Sequence, residues 1–391
     1  ILSGLVGSEM CIRDSWCTNP LFAGGFIWVY CDEAPKRSDK GGILDSDKSN
    51  APDGVVGPRR EKEGSYYAIR AQWSPIQLKP LLITNHFDGS FLLTNEYTFT
   101  NLKDCRMTYK VLSCGTPLQG NTEAGKVIAE GKVQLPSINP GETGTARFEL
   151  PDSFREGDVL ELEAFDREGK SICNWTYPIH LAKQYFERNL SQTTLTPAPQ
   201  KAEARQTSDA IELKSSKVSI TFDAATGMIR HIKSGETEVP FKDGPVAIGM
   251  KMRYEPSLSY TRHSSDGAIY CAKYKGAADS IVWRLTNEGL LYMDAILLNR
   301  GSGGGGFDDA FMDAQIFNLG LSFSYPEQNC SGMKWMGRGP YRVWKNRIPG
   351  TNYGIWHKDY NNTITGESFE NLIYPEFKGY HANLYLSLIH I

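Results

Sequence analysis

The fold is decided by the stretch Phe91-Leu-Leu-Thr-Asn-Glu-Tyr-Thr-Phe-Thr100. Apolar and polar side chains alternate along it, which is the period-two pattern of a strand with one buried face. The same alternation returns in Met107–Leu112, Val127–Leu135, Thr145–Leu150 and Val159–Phe165. Gly, Pro or Asp turns separate these runs, and about six strands in such a series are typical of an immunoglobulin-like domain. We therefore predict an immunoglobulin-like β-sandwich over residues 76–182.

A second all-β region is expected over residues 209–386. Its clearest element is a hairpin in which Val218–Phe222 and Met228–Ile232 flank the turn Asp223-Ala-Ala-Thr-Gly227. No helical periodicity interrupts the region, so it predicts a large antiparallel β-supersandwich. Residues 183–208 are polar and contain two prolines, which indicates a linker between the two sandwiches.

The residues before the first sandwich have a different pattern. Phe22-Ala-Gly-Gly-Phe-Ile-Trp-Val-Tyr30 is a short apolar run, typical of a strand that is buried on both faces in a parallel sheet. A long polar loop covers residues 32–58, and Glu61–Trp73 has helical spacing that Ser74-Pro75 ends. Strand, loop and helix together predict one βα unit within residues 16–75.

Composition excludes several classes of function. The chain has 391 residues and a formal net charge of −3, without the basic excess that a nucleic-acid or anionic-membrane surface needs. No apolar run is long enough to span a membrane. Eight Cys without paired CxxC motifs predict neither a disulfide scaffold nor a zinc knuckle. Gly301-Ser-Gly-Gly-Gly-Gly306 has dinucleotide-binding spacing, but the acidic residues after it favour a flexible loop.

Both ends of the chain look foreign to the rest. Residues 1–15 lack the basic start and cleavage site of a signal peptide, and they resemble a translated sequencing adapter. Residues 387–391 have the same character. We therefore expect a fragment cut at both ends, whose compartment stays open between the bacterial cytoplasm and the periplasm.

Three motifs in the same order resemble the large β-galactosidases of glycoside hydrolase family 2. The first is Gly24-Gly-Phe-Ile-Trp28 with Asp32-Glu33, and the second joins Ala51–Pro58 to Lys62–Arg70 and Trp73-Ser-Pro75. The third is Trp335-Met-Gly-Arg-Gly-Pro340, running on to Arg347. The resemblance implies that residues 16–75 are the last βα unit of a (β/α)8 barrel, and that residues 209–386 are a truncated C-terminal supersandwich. Departures at Val29-Tyr30-Cys31 and Arg342 leave the exact glycoside open.

The resemblance also says which chemistry this chain lacks. Retaining glycosidases need two carboxyl groups roughly 5–5.5 Å apart. In the family both are glutamates on barrel strands that precede the last one, so no catalytic residue is expected here and the chain alone should be inactive. Among local carboxylates, Glu33 begins a loop at the catalytic face, whereas Glu61 and Glu63 fall on a helix that lies away from it.

Three residues are candidates for ligand contact. The resemblance implies that Trp28 touches substrate, since a flat indole face suits the C–H-rich face of a sugar; core packing is the alternative. Family members bind a cation near the active site through the loop after this strand. The resemblance therefore implies Asn50 and Asp53 as ligands of Mg²⁺, Ca²⁺ or Na⁺ in the full-length parent, with an ordinary Pro-Asp-Gly turn as the alternative. An EF-hand is excluded, because Asn50 and Val56 replace its required Gly and Glu.

Three functions follow as hypotheses. The first is a fragment of a retaining β-galactosidase whose homo-oligomeric parent hydrolyses terminal non-reducing β-D-galactosides. The second is a non-catalytic carbohydrate-binding β-sandwich protein, and the third is a structural assembly module. A binding module has no use for a lone strand, loop and helix, so residues 24–73 favour the first. Unpaired strand edges in that unit should leave it poorly ordered or sticky.

Overall fold

The computed structural model describes residues 26–33, 35–44, 54–117, 125–192, 200–248, 253–275, 278–297, 320–340, 348–360 and 381–390. Over these residues the chain is mainly β and its sheets are antiparallel, as the sequence predicts. It divides into two compact units, one of Ile1–Thr193 with Cys330–Ile391 and one of Thr194–Asn329. No helix within the described ranges is both long and apolar enough to cross a membrane.

The first unit begins with short elements around the predicted βα unit. These are β1 (Lys36–Arg37), β2 (Ile43–Leu44) and helix α1 (Gly64–Gln72). The predicted helix is confirmed, but it starts at Gly64 with Glu63 as its N-cap, so Glu61 and Glu63 precede the helix rather than lying on it. Its last backbone bond runs from Trp73 N to Ile69 O at 2.8 Å, just before the Ser74-Pro75 stop.

The predicted strand Phe22–Tyr30 is wrong over its described part. Residues 26–30 form no strand, and the only ladder pairing near them is an isolated parallel bridge between Cys31 and Val56. Phe22–Gly25 lie outside the described residues. The described part of the apolar run is irregular, and its backbone hydrogen bonds come from Val55 N and Val56 N to the carbonyls of Val29 and Tyr30.

The predicted immunoglobulin-like region is a two-sheet antiparallel sandwich. Its strands are β3 (Ile76–Leu78), β4 (Ser90–Asn95), β5 (Arg106–Ser113), β6 (Lys126–Val133), β7 (Thr143–Arg147), β8 (Val159–Phe165) and β9 (Ser171–Pro178). One sheet has the order β3-β4-β7 and the other β6-β5-β8-β9. The alternating apolar side chains fill the space between the sheets, with Leu93, Met107, Leu160 and Leu162 almost completely buried.

The start of the expected linker is a helix. Ala182–Gln192 form α2, whereas residues 193–199 lie outside the described residues. Two contacts explain it: Leu181 N donates to Gln184 Oε1 at 3.0 Å, and the buried Tyr185 donates from Oη to Gly115 O at 2.6 Å. Arg188, one turn later, pairs with the buried Asp158. Tertiary contacts thus stabilise a helix in a sequence whose polar composition indicates a linker.

The second unit contains eleven described strands. They are β10 (Glu203–Gln206), β11 (Ala210–Lys214), β12 (Val218–Asp223), β13 (Ile229–Ser234), β14 (Thr237–Val239), β15 (Lys242–Ile248), β16 (Leu258–Ser264), β17 (Gly267–Lys273), β18 (Ala278–Thr286), β19 (Leu291–Leu297) and β20 (Gly320–Ser324). They form sheets β10-β11-β12-β13-β14, β16-β17-β18-β19 and β15-β20. The predicted β12–β13 hairpin is confirmed, and Gly227 closes it at a φ of +72°.

The last three strands group with the first unit, whereas the sequence predicts one supersandwich over residues 209–386. They are β21 (Gly332–Gly339), β22 (Asn352–Asp359) and β23 (Leu386–His390), in the sheet order β22-β21-β23. Tyr353 N donates to Thr176 Oγ1 of β9 at 2.8 Å, which ties this sheet to the sandwich. The aromatic side chains of Trp335 and Tyr353 are buried in this sheet. Strand β23 also includes most of the tail that looks foreign in sequence.

Candidate functional site

The candidate site is built on residues 26–33, which lie beside the segment 54–57. Val56 N donates to Tyr30 O at 3.0 Å, and Asp32 N donates to Val56 O at 2.9 Å. The two segments run parallel at the Cys31–Val56 bridge. The second segment is the end of the loop that the sequence analysis singled out, so the loop returns to the residues that follow Trp28.

Asp32 and Gly54 fix this return. Asp32 is buried, and its Oδ1 accepts a hydrogen bond from Gly54 N at 2.7 Å. A Cβ at position 54 would lie 2.3 Å from Asp32 N, so only glycine allows the two backbones to come this close. The Cys31 thiol adds a contact at the next residue pair, donating from Sγ to Gly57 O at 3.2 Å.

Aromatic side chains are exposed just before the hydrogen-bonded pair of Asp32 and Gly54, which we call the clasp. Phe26 and Tyr30 are exposed, and 75% of Trp28 is accessible. The contact of Trp28 with substrate, and core packing as its alternative, stay predictions. The peptide between Trp28 and Val29 is cis. An accessible indole ring offers a flat apolar face with one polar N–H, which is suited to stacking on a pyranose.

The carboxylates near Trp28 differ in their surroundings. Asp32 is engaged in closing the loop, whereas Glu33 is exposed beside it. Glu61 Oε2 accepts a hydrogen bond from Arg59 N at 2.8 Å, so this carboxylate caps a turn. The Asp32 and Glu61 carboxylates therefore both accept backbone hydrogen bonds within the loop.

The predicted cation ligands Asn50 and Asp53 lie outside the described residues. Within the described ranges, no group of three or more His, Cys, Asp or Glu side chains could hold a metal ion. The cation site therefore stays a prediction of the resemblance.

Helix α1 holds the site against the sandwich. Arg70 donates from Nε to Ile172 O at 2.8 Å and from Nη2 to Ser171 Oγ at 2.9 Å, both on β9. Val56 and Lys62 form an antiparallel bridge just before the helix, so the loop and the helix are connected by backbone pairing. Successive contacts therefore connect residues 26–33 to residues 54–57, these to helix α1, and the helix to β9.

A turn of the last sheet also lies against this helix. Gly350 has a φ of +85°, and a Cβ there would lie 2.3 Å from the backbone C and O of Tyr67. Sequence reasoning missed Arg70, Asp32 and Gly350 as supporting residues. The signal for Asp32 was present in the Pro52-Asp53-Gly54 turn, because a glycine at a loop end often marks a close backbone approach.

Comparison with known proteins supports the resemblance over the sandwich. Residues 91–173 match the family model described as β-galactosidase, domain 4. The match spans strands β4 to β9, including the Ser171 and Ile172 acceptors of Arg70. No curated protein matches the sequence.

Two solved structures show weak similarity to the chain. One is an exo-β-D-glucosaminidase inhibited by a glucosamine-configured castanospermine, with 8% identity and a TM-score of 0.21 over 62% of this chain and 29% of that one. The other is the exo-chitosanase of Amycolatopsis orientalis in complex with a β-D-glucosamine derivative, with 9% identity and the same TM-score and coverage. The chain thus spans 29% of the length of these enzymes, and a TM-score this low establishes no common fold.

Proposed function

We propose that this chain is part of a retaining glycoside hydrolase whose full-length form cleaves terminal non-reducing β-D-galactosides. The observation that carries the proposal is the match of residues 91–173 to a β-galactosidase domain. The geometry adds a second support, because α1 connects that domain to the exposed Trp28 through Arg70 and the 54–57 loop.

In this proposal Trp28 is a substrate-contacting residue. Its exposed ring would cover the apolar face of the galactosyl group and exclude water from that side. The catalytic acid/base and nucleophile would come from a part of the full-length protein that precedes this chain, so the chain by itself would bind sugar weakly and hydrolyse nothing. The cation ligands Asn50 and Asp53, the galactoside specificity and a homo-oligomeric parent belong to the proposal as well.

The test uses the chain extended at its N-terminus by the in-frame upstream coding sequence. We expect this protein to hydrolyse p-nitrophenyl β-D-galactoside with retention of configuration. Trp28→Ala should lower kcat/KM by about tenfold to a hundredfold, since it removes an apolar contact worth about 1.5–3 kcal/mol. Trp28→Phe keeps an aromatic face and should lose less.

Three outcomes would count against the proposal. Preferential cleavage of a β-glucoside or β-glucosaminide would contradict the galactoside specificity. Equal kinetics for Trp28→Ala and the unaltered protein would contradict the role of Trp28. An extended protein that binds oligosaccharides through Trp28 but never turns them over would instead establish the non-catalytic binding protein, for which the exposed aromatics are the favouring observation.

A further inference from the structure

One edge of β21 is filled by a segment from far along the chain. β22 pairs with one side of β21, and on the other side Leu386–His390 pair with Gly332–Met336 in antiparallel register. The partners run from Met336 opposite Leu386 to Gly332 opposite His390. β21 is thus a central strand only because β23 is present, and its residues Trp335 and Met336 are completely buried.

The start of β23 is held by specific contacts. Tyr385 N donates to Met336 O at 2.8 Å, and Tyr385 Oη donates to His180 O at 2.9 Å. Its ring also packs against Tyr185 and Tyr353, with ring centroids 5.9 Å and 5.7 Å away. Tyr385 therefore fixes the position at which the segment joins the sheet.

Gly337 leaves room for the residues that precede β23. A Cβ at Gly337 would lie 2.9 Å from Asn383 O and 3.1 Å from Leu384 Cα. The preceding residue Ala382 is buried, and its carbonyl accepts a hydrogen bond from Arg338 N at 3.4 Å. Residues 382–385 thus lie close to Gly337 and Arg338, and from Leu386 onward the segment pairs with the backbone edge of β21.

Beyond Tyr385 the pairing is carried by the main chain. Residues Ser387-Leu-Ile-His390 continue the ladder to Gly332. Every non-proline residue carries one N–H and one C=O, so an unpaired strand edge accepts extended peptides with little regard to their side chains. Tyr385 adds side-chain contacts to this pairing, through His180 O and the rings of Tyr185 and Tyr353.

We infer that the Gly332–Met336 edge is a strand-accepting site for an extended peptide that carries an aromatic residue at the Tyr385 position. The chain's own residues 385–390 occupy the site in this structure, and a separate peptide of the same kind can occupy it in trans. This inference rests on the geometry of the last sheet and stands apart from the proposed function.

The first test uses a chain truncated after Leu384 and a labelled peptide with the sequence of residues 385–390. We expect the truncated chain to bind this peptide, and the full chain, whose edge is filled, to bind it at least about tenfold more weakly. Replacing the tyrosine of the peptide by alanine should weaken binding. Absence of binding to a truncated chain that retains the circular dichroism of the full chain would overturn the inference.

Backbone-methylated peptides provide the sharpest control. Alternate residues of a strand direct their N–H groups to opposite edges, so N-methylation at 386, 388 and 390 blocks one edge and N-methylation at 387 and 389 blocks the other. Only one of these two peptides should lose its binding. Equal binding of both, or equal loss in both, would contradict main-chain pairing along one edge.

A second test covers a truncated chain that fails to fold. In the full chain, Ser387→Pro and Leu388→Pro each remove one N–H, and one of the two lies on the edge that faces β21. That variant should speed amide exchange in residues 332–336 by about tenfold, and excess peptide should restore the protection. Unchanged exchange in both variants would overturn the inference.

Discussion

At the scale of the residue, Gly54 closes the loop behind Trp28. We predict that Gly54→Ala destabilises this clasp by about 1–3 kcal/mol, because its Cβ would meet the backbone of Cys31 and Asp32. Hydrogen exchange at the amides of Val55 and Val56 measures the effect. The matched control is Gly320→Ala, where a Cβ meets nothing within 4 Å. Slow exchange in Gly54→Ala, as in the control, would contradict the role of Gly54.

A carboxylate in the second unit provides a pH-dependent prediction. The hydrogen bonds from the Arg230 side chain, at 2.6 Å for Nη2, and those from Thr226 hold the pKa of Asp223 below its usual 3.8. A carboxyl group with a lowered folded-state pKa stabilises the protein above its unfolded pKa, and this contribution is lost as the pH falls through the folded value. We expect Asp223→Asn to lower the denaturation midpoint at pH 7, with no difference from the unaltered chain in strong acid. A difference that persists in acid would contradict this.

Glu161 on β8 should behave in the opposite way. Burial raises its pKa above 4.5, although Lys110 at 3.7 Å partly opposes the shift. A carboxyl group with a raised folded-state pKa stabilises the protein below its unfolded pKa and ceases to do so as the pH rises through the folded value. Glu161→Gln should therefore raise the stability at pH 7, with an advantage that disappears below pH 4.5. Lower stability of the variant at pH 7 would show that the Lys110 pair outweighs burial.

At the scale of the element, one arginine, Arg70, hydrogen-bonds helix α1 to strand β9 of the sandwich. Arg70→Ala removes the donors to Ser171 and Ile172, and we predict a loss of about 1–3 kcal/mol in the local stability of the helix. Arg70→Lys has a single ammonium group in place of the two donors Nε and Nη2, so it should recover only part of the lost stability. The measurement is amide exchange across Gly64–Gln72, with the exposed Arg167→Ala as control. Equal protection in all three variants would mean that the helix is held by other contacts.

The two helices show what sequence patterns convey about elements. α1 is predictable because its periodic side chains end at Ser74-Pro75, although the pattern says nothing of the β9 carbonyl that Arg70 reaches. α2 is not predicted, because its polar composition indicates a linker. The helix is stabilised by contacts of Tyr185 and Arg188 with residues that are distant in the sequence. Its local signals are the capping contact of Gln184 with Leu181 N and the i,i+4 pair of Lys183 with Glu187.

At the scale of the whole molecule, alternation identifies strands but not their sheets. Each of the five runs quoted from the sandwich sequence contains a strand, because each needs only its own buried face. The bounds differ: the first strand ends at Asn95 and not at Thr100, and the fourth covers Thr143–Arg147. The grouping of β21–β23 with the first unit depends on pairs such as Thr176 and Tyr353, which lie 177 residues apart. Nothing local in the sequence encodes such a contact.

The candidate site, like the fold, could be predicted from the sequence only in part. Trp28 is named from the sequence resemblance and is exposed in the structure, and its contact with substrate stays a prediction. The clasp between Asp32 and Gly54 needs three-dimensional proximity across 22 residues, so this contact emerges only from the structure.

The central claim is that this chain supplies a sugar-contacting surface without the carboxyl pair that cleaves the glycosidic bond. The most direct measurement is the release of p-nitrophenol from p-nitrophenyl β-D-galactoside by the purified 391-residue chain. The account predicts no release above the rate in buffer at any protein concentration. Release that rises in proportion to the chain and is abolished by Trp28→Ala would contradict it.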